Sequence, residues 1–451
     1  MILKIMNDLS YGFKNSYVIG ISFISALGGY LFGFDFAVIA GALPFLRDIF
    51  NLDPWWEGFL TGTLALGCIA GTLLAGKLAD VYGRKPGLLT AAAIFAVSSL
   101  GMAYSGTLNT FLIMRFTAGI GVGMASILSP LYIAEVSPAN VRGRNVSINQ
   151  LTIVLGILIT NLVNYKIADY GPDAWRWMFG LGSVPSGLFF LGVLLLPESP
   201  RFLVKAGKPV NAKAVLGKIG NGNFVNETFA DIENSLKGVK KLPNKEAFSR
   251  ALRPALIIGI GLAVFQQLCG INVVFNYTST IFESVGANLD RQLLETVSIG
   301  IVNLIFTIVA MWQVDKLGRR PLMLIGSLSL SVLYIVLATF LKIKVNPGMI
   351  SVVVLLSIAS YAATLAPVTW VLISEIFPNK IRATASSLAI VSLWLAYFIL
   401  VFTFPILASK IGAYGPFYLY AVICLIGFIF IYFKVKETKG RTLEEIEGVV
   451  Y

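Results

Sequence analysis

Long apolar runs recur from one end of this 451-residue chain to the other. Most are 18 residues or longer, which is the length that an α-helix needs to cross a hydrocarbon layer of about 30 Å. The runs predict twelve membrane-spanning helices, near residues 17–41, 58–76, 88–108, 111–134, 146–165, 177–196, 254–282, 296–314, 322–341, 348–374, 384–409 and 413–433. Only 13% of the residues are charged, about half the share in a soluble domain. The pattern therefore predicts an all-α membrane protein.

The basic residues are distributed unevenly between the two sides of the predicted membrane. If the N-terminus is cytoplasmic, the inner segments hold 27 of the 35 Lys and Arg, the outer loops hold 7, and Arg115 lies within a span. Cytoplasmic loops of membrane proteins carry such an excess, so we expect both termini in the cytoplasm. Topology accounts for the net charge of +12, and we expect no nucleic-acid partner.

Histidine is absent, and the three cysteines lie far apart within apolar spans. Catalysis by Ser-His-Asp or Cys-His groups and metal sites with histidine ligands are therefore excluded. The cysteine spacing suggests neither a disulfide framework nor a thiolate metal site. We expect no metal and no cofactor, and an enzyme is the least favoured class because no carboxylate pair lies within the spans.

The chain divides into two related halves around one long hydrophilic segment. We predict a six-helix bundle in 1–196, a cytoplasmic loop with short helices in 197–253, a second bundle in 254–433 and a cytoplasmic tail in 434–451. The motif "ADVYGRKP" recurs as "VDKLGRRP" at an offset of 235, and "AEVSPANVRG" as "SEIFPNKIRA" at an offset of 240. Fixed offsets indicate an internal duplication and two pseudo-symmetric six-helix bundles.

The repeated motifs place charged side chains at the predicted cytoplasmic ends of helices. Arginine and carboxylate groups there can form charge-assisted hydrogen bonds that hold the cytoplasmic side closed and separate when it opens. The alternative is that they are only topology signals and solvated helix caps. The candidate gate residues are Asp80, Arg84, Lys85, Glu135, Arg142, Glu198, Asp315, Arg319, Arg320, Glu375, Arg382 and Glu437.

Asp35 and Arg115 are the two charged residues that fall clearly inside predicted spans. Both lie roughly 8–9 Å below the outer surface if the helices rise 1.5 Å per residue, so they can pair. A buried carboxylate whose pairing with arginine loosens can take up a proton, which makes the two residues a candidate proton site. The alternative is a purely structural ion pair.

The seventh span contains several amides in an otherwise apolar run, including Gln266, Gln267, Asn272 and Asn276. At helical spacing these side chains can line a lumen, where neutral donors and acceptors suit a polyhydroxylated ligand better than an ion. Amides and aromatic residues in other spans add the same chemistry. Hydrogen bonding between helices within the bundle is the alternative for any one of them.

The motifs "PESPR" at 197–201, "QQLCGIN" at 266–272 and "PVTWVLISEIFP" at 367–378 resemble those of the sugar porter family of the major facilitator superfamily. The resemblance covers nearly the whole chain and implies the twelve-helix fold, alternating access and a monosaccharide substrate, with xylose or glucose favoured. Proton-coupled members have an aspartate where Asp35 stands, near an arginine that matches Arg115, which favours symport. The sugar contacts that the resemblance implies are Phe32, Gln150, Gln266, Gln267, Asn272, Asn303, Trp370 and Trp394.

The chain departs from this family at three positions of the predicted sugar pocket. Asn276 replaces the usual tyrosine, Ala366 the usual glycine, and Leu393 a frequent amide, so the identity of the sugar does not carry over. A facilitative carrier without proton coupling and a non-transporting sugar sensor remain as alternatives. We expect a monomer in a lipid bilayer, in a bacterial inner membrane.

Overall fold

The computed structural model describes residues 13–237, 252–377 and 382–439. Within these ranges the chain is almost entirely helical, and twelve stretches are long and apolar enough to cross a membrane. The predicted fold class is confirmed.

Six spanning stretches form the first half of the molecule. The fifth leads into a 3₁₀ turn at Ala168–Tyr170, and the sixth consists of two shorter helices. The helices are α1 (Asn15–Phe50), α2 (Pro54–Val81), α3 (Arg84–Ala103), α4 (Leu108–Val136), α5 (Arg142–Ile167), α6 (Ala174–Gly180) and α7 (Ser183–Leu195).

Three short helices follow the first half: α8 (Pro200–Lys205), α9 (Pro209–Ile219) and α10 (Gly222–Lys237). The end of α9 lies beside the start of α1, where the backbone N–H of Lys14 donates to the carbonyl of Ile219 at 2.7 Å.

Six further spanning stretches form the second half, and two of them are interrupted. The helices are α11 (Arg253–Leu268), α12 (Ile271–Asn276), α13 (Thr278–Glu283), α14 (Leu289–Leu317), α15 (Arg319–Lys342), α16 (Pro347–Ala363), α17 (Leu365–Ile376), α18 (Arg382–Ile411) and α19 (Gly415–Lys434).

The seventh span is not the single helix that its hydropathy predicts. It breaks between α11 and α12 at Gly270, whose φ of 91° is in the left-handed region that favours glycine. A Cβ at this glycine would lie 2.6 Å from the ring of Tyr420, so close packing also requires it. The tenth span is also interrupted, at Thr364 between α16 and α17, where the φ of −129° is not left-handed.

Several helices are longer than the apolar runs that predict them. α1 continues to Phe50 rather than ending near 41, and α2 begins at Pro54 rather than near 58. Arg47 and Glu57 therefore lie on spanning helices, beyond the apolar runs themselves. A helix keeps its backbone hydrogen bonds beyond the apolar layer, so hydropathy marks the layer and not the helix end.

We name the two ends of the bundle by the chain termini. The terminal face is the end at which α1 begins and α19 ends, and the distal face is the opposite end. The halves pack together through α2 against α18, α5 against α14, and α1 against α12 and α13. Gly58 on α2 lies directly against the backbone of Phe402 on α18, where no larger side chain would fit.

Candidate functional site

Asp35 on α1 and Arg115 on α4 lie beside each other in the interior of the first half. Arg115 Nη1 is 3.6 Å from Asp35 Oδ1, and both side chains are almost completely buried. The two residues lie at different distances from the ends of their helices. Asp35 lies fifteen residues before the end of α1, whereas Arg115 lies seven residues after the start of α4.

The contact between these two charges is loose. Neither carboxylate oxygen of Asp35 accepts a hydrogen bond from the described residues, and Arg115 Nη1 has no hydrogen-bond partner there. The guanidinium instead donates from Nε to the carbonyl of Leu60 at 3.1 Å and lies over the ring of Phe179. A buried carboxylate without a donor is costly when ionised, so this group is suited to hold a proton.

The break in the seventh span brings three of its amides together. Asn272 Nδ2 donates to Gln267 Oε1 at 2.5 Å, and Gln267 Nε2 donates to Gln266 Oε1 at 3.3 Å. All three side chains are buried. The chain of amides crosses the α11–α12 break, so it does not follow from the spacing of one continuous helix.

A second polar group lies one turn further along, where Asn276 meets α18. Asn276 Nδ2 donates to the hydroxyl of Tyr397 at 2.8 Å and to the carbonyl of Asn272 at 2.7 Å. The ring of Tyr397 packs against Trp394, with 5.9 Å between centroids. Sequence analysis missed Tyr397, because one tyrosine in an apolar run resembles a packing residue.

Aromatic side chains from α1 cover this group from the other half. Phe32 and Trp394, both predicted sugar contacts, meet edge to face with centroids 5.7 Å apart. Phe36 packs on Tyr397 at 5.1 Å. The aromatic cluster of Phe32, Phe36, Trp394 and Tyr397 therefore spans the boundary between the halves. One of its members, Phe36, directly follows Asp35 in the sequence.

The three remaining predicted sugar contacts lie on other helices. Gln150 on α5 is half-buried, Asn303 on α14 is buried, and Trp370 on α17 is 41% exposed. No hydrogen bond joins them to the amides of the seventh span in the part of the chain that the structure describes.

Charged motifs of the first half form one connected cluster at the terminal face. Arg84 donates to both carboxylate oxygens of Glu135 at 2.8 Å. Glu198 accepts the backbone N–H groups of Arg84, at 2.9 Å, and of Lys85, at 3.2 Å, at the start of α3. A side chain at Gly83 would collide with the Glu198 carboxylate, which explains why this position is glycine.

The second half repeats the same arrangement. Glu437 accepts the backbone N–H groups of Arg319 and Arg320, both at 3.0 Å, at the start of α15. A Cβ at Gly318 would lie 2.7 Å from Glu437 Oε2. Duplicated sequence motifs thus form duplicated carboxylate caps on helix N-termini, where the free N–H groups and the helix dipole favour a negative charge.

The bonds described at the terminal face all join residues of the same half. Lys205 pairs with Asp80 at 2.7 Å, and Arg142 lines a cavity of about 360 Å³ with Arg201 and Asp231. The side chains of three further candidate gate residues, Asp315, Glu375 and Arg382, lie outside the described residues.

Charged residues also join the two halves near the distal face. Arg47 on α1 makes a two-point contact with Glu57 on α2, with both distances 3.1 Å, and pairs with Glu283 on α13 at 2.6 Å. It also donates to the Thr280 hydroxyl at 2.9 Å. Sequence analysis missed this distal cluster because its members lie at the ends of apolar runs.

Two hydrogen bonds from side chains to backbone carbonyls also join the two halves. Ser279 donates to the carbonyl of Ala40 at 2.7 Å, and Asn161 donates to the carbonyl of Thr296 at 2.7 Å. Both bonds cross between the halves.

Comparison with known proteins agrees with this architecture. The family described as "Sugar (and other) transporter" matches residues 21–450. The chain belongs to this sugar transporter family. It is 38% identical over 438 residues to the arabinose-proton symporter of Bacillus subtilis (strain 168), covering 96% of this chain and 94% of that protein. It is 36% identical over 476 residues to the D-xylose-proton symporter of Escherichia coli (strain K12), covering 97% and 96%.

A solved member of the family shares the arrangement of the halves. The inward-open conformation of the xylose transporter XylE from E. coli superimposes with a TM-score of 0.86 at 34% identity, covering 96% of this chain and 100% of that one. In the present chain, the ion pair and the hydrogen bonds between the halves described above lie toward the distal face.

Proposed function

We propose that this protein is a proton-coupled symporter that imports a monosaccharide, with xylose or glucose favoured, by alternating access. The observation that carries the proposal is the buried Asp35 carboxyl, which lies 3.6 Å from Arg115 and accepts no hydrogen bond among the described residues. The names of the two related proteins, an arabinose-proton and a D-xylose-proton symporter, support proton coupling and a sugar substrate.

The sugar site in this proposal lies between the halves, at the amide chain and the aromatic cluster. Gln266, Gln267 and Asn272 offer neutral hydrogen-bonding groups, and the rings of Phe32 and Trp394 offer apolar surface. A sugar presents hydroxyl groups around its edge and apolar C–H groups on its faces, so this combination suits it. Asn276, Gln150, Asn303 and Trp370 complete the proposed site.

In this proposal, proton coupling depends on the loose contact between Asp35 and Arg115. When Asp35 is ionised, it attracts the guanidinium, and the ion pair holds α1 against α4. When Asp35 takes up a proton, the attraction is lost, and Arg115 keeps its bond to the Leu60 carbonyl. Binding of the proton thereby favours one arrangement of the helices over the other, which is the requirement for coupling.

The orientation of the protein in the membrane determines which side each face closes. We place the terminal face in the cytoplasm, on the excess of Lys and Arg in the segments there. The distal cluster then closes the outer side, and the structure corresponds to an inward-facing state. In the outward-facing state, the charged residues of the terminal face close the cytoplasmic side.

The proposed symporter is embedded in a lipid bilayer. It acts as a monomer in a bacterial inner membrane, with both termini in the cytoplasm, and it performs no chemical reaction on the sugar. Its partners are the sugar, protons and the lipid bilayer.

Uptake by reconstituted vesicles tests this function. Labelled D-xylose is supplied with and without an imposed inward proton gradient, and unlabelled glucose, galactose, arabinose and fructose compete in turn. The proposal predicts accumulation above the external concentration that disappears when a protonophore collapses the gradient. Equilibration without accumulation would indicate a facilitator, and sugar binding without uptake would indicate a sensor.

A further inference from the structure

The side-chain amide of Asn276 is held in one orientation. One N–H bonds to the backbone carbonyl of Asn272 at 2.7 Å, and the other bonds to the Tyr397 hydroxyl at 2.8 Å. A backbone carbonyl can only accept, so the amide nitrogen has to face it. Both donors are used, and the carbonyl oxygen Oδ1 is the remaining free group.

This oxygen is buried and has no donor. Asn276 is fully buried, and its Oδ1 is without a hydrogen-bond partner among the described residues. The indole N–H of the neighbouring Trp394 is likewise buried and unpaired there. A buried polar atom without a partner costs free energy, so such groups indicate a ligand that satisfies them.

An unpaired acceptor and an unpaired donor on neighbouring side chains suit a hydroxyl group, which both donates and accepts. Tyr397 contacts both residues that carry them, through its hydroxyl to Asn276 and its ring to Trp394. Its ring also packs on Phe36 of the other half. The group thus lies at the boundary where a sugar held between the halves would be bound.

We propose that Tyr397 is a positioning residue that determines sugar specificity: its hydroxyl occupies the second amide N–H of Asn276, which leaves Oδ1 to accept a hydrogen bond from one sugar hydroxyl. Tyr397 acts through Asn276. The inference rests on the proposed sugar site and adds a residue that the family resemblance does not supply.

The test compares the analogue preferences of two single-hydroxyl variants. Tyr397→Phe removes the bond to Asn276 and keeps the ring. Tyr277→Phe is the matched control, because the buried Tyr277 hydroxyl also joins the seventh span to α18, donating to the Val401 carbonyl at 2.7 Å. Binding is measured by calorimetry on the full-length protein with D-xylose and its monodeoxy and monodeoxyfluoro analogues at each carbon.

In the unsubstituted protein, one position of the sugar should require a donor. There, the deoxy and deoxyfluoro analogues should both bind about 3- to 10-fold more weakly than xylose, because fluorine cannot donate. In Tyr397→Phe, the amide keeps its bond to the Asn272 carbonyl, but its second N–H is freed and can be offered to the sugar, so the penalty for the fluoro analogue at that position should fall below about twofold. Tyr277→Phe should keep the pattern of the unsubstituted protein.

Two outcomes would overturn the inference. If Tyr397→Phe changes the affinity for every analogue by one common factor, or leaves all of them unchanged, Tyr397 has only a packing role. If the unsubstituted protein binds neither xylose nor, in a parallel glucose series, glucose, the proposed function fails as well.

Discussion

At the scale of single residues, Gln267 and Asn272 satisfy each other across the break in the seventh span. Replacing either residue with alanine removes one hydrogen bond to the sugar and leaves its partner amide unpaired. We expect sugar binding to weaken about 3- to 10-fold, since a neutral hydrogen bond contributes about 0.5–1.5 kcal/mol. Calorimetry on purified protein measures this change.

Gln292→Ala is the matched control for these substitutions. Gln292 is also a buried glutamine, but its amide bonds to the backbone carbonyl of Ala287 at the start of α14. This variant should bind sugar normally. Unchanged affinity in both Gln267→Ala and Asn272→Ala would assign these amides to bundle packing alone.

The carboxyl group of Glu437 should make the helix cap at the start of α15 dependent on pH. Partial burial favours a higher pKa for this carboxyl, but the backbone N–H bonds from Lys439, Arg319, Arg320 and Thr438 outweigh it, so its pKa lies below the usual value of 4.5. The ionised Glu437 carboxylate therefore stabilises the start of α15 fully above the usual pKa. This stabilisation is lost as the pH falls through the lowered pKa. Hydrogen exchange at Arg319 and Arg320, corrected for intrinsic rates, should accelerate below about pH 4.

Glu437→Gln provides the comparison, because a neutral amide has no charge to lose. The exchange of the two amides in this variant should be faster at neutral pH and show no such transition. Equal protection at pH 6 and pH 3 in the unsubstituted protein would contradict the assigned role of Glu437.

The charged pair and Tyr397 show which residues sequence reasoning can find and which it cannot. Asp35 and Arg115 are conspicuous because a charge in an apolar run is costly, and the structure places them together. Tyr397 carries no such signal. Its importance depends on the position of Asn276 on another helix, and the sequence does not contain that distance.

At the scale of helices, the distal cluster joins α1, α2 and α13. Arg47 is the centre of this cluster, since it bonds to Glu57 in its own half and to Glu283 and Thr280 in the other. Opening the distal face has to break the bonds between the halves, whereas the Arg47–Glu57 contact can persist.

Glu283→Gln should therefore shift the protein toward states that are open at the distal face. The substitution removes one ion pair between the halves and leaves Glu57 paired, for an effect of about 1 kcal/mol or roughly fivefold in population. A cysteine introduced at Ala40, which is buried beneath Ser279, reports opening through its labelling rate with a membrane-impermeant thiol reagent. The three native cysteines are buried and should contribute little background.

Arg176→Ala is the control for electrostatic change at the same face. Arg176 pairs with Asp173 and bonds to carbonyls of Ala103 and Ser105, all within the first half. Its removal should leave the labelling rate unchanged. Equal labelling of the Glu283→Gln and unsubstituted backgrounds would show that the cluster does not control opening.

The helix ends and breaks mark the limit of prediction at this scale. Hydropathy located all twelve spans but placed the end of α1 nine residues early, since the helix ends at Phe50 and not at 41. The break at Gly270 has a local signal in its glycine, yet the amide chain across it depends on the packing of Tyr420 against that glycine. Such contacts come from residues that are distant in sequence.

At the scale of the whole molecule, the duplicated halves explain how one site can face either side. The repeated motifs predicted the two six-helix bundles, and each half carries its own carboxylate cap at the terminal face. The described bonds between the halves lie toward the distal face. A rocking motion of two similar units around a central site is a common route to alternating access.

In the proposed mechanism, protonation of Asp35 couples this motion to the proton gradient. Asp35→Asn keeps the size of the side chain and a hydrogen-bonding oxygen but cannot exchange a proton. In vesicles, the variant should retain exchange of labelled sugar between equal concentrations, because the amide chain and the aromatic cluster are intact. It should lose accumulation against a gradient.

The decisive measurement is the ratio of internal to external labelled sugar under an imposed proton motive force, in Asp35→Asn and in the unsubstituted protein. Coupling through Asp35 predicts a ratio well above one for the unsubstituted protein and a ratio of about one for the variant, with exchange preserved. A variant that still concentrates sugar under the same force would contradict it.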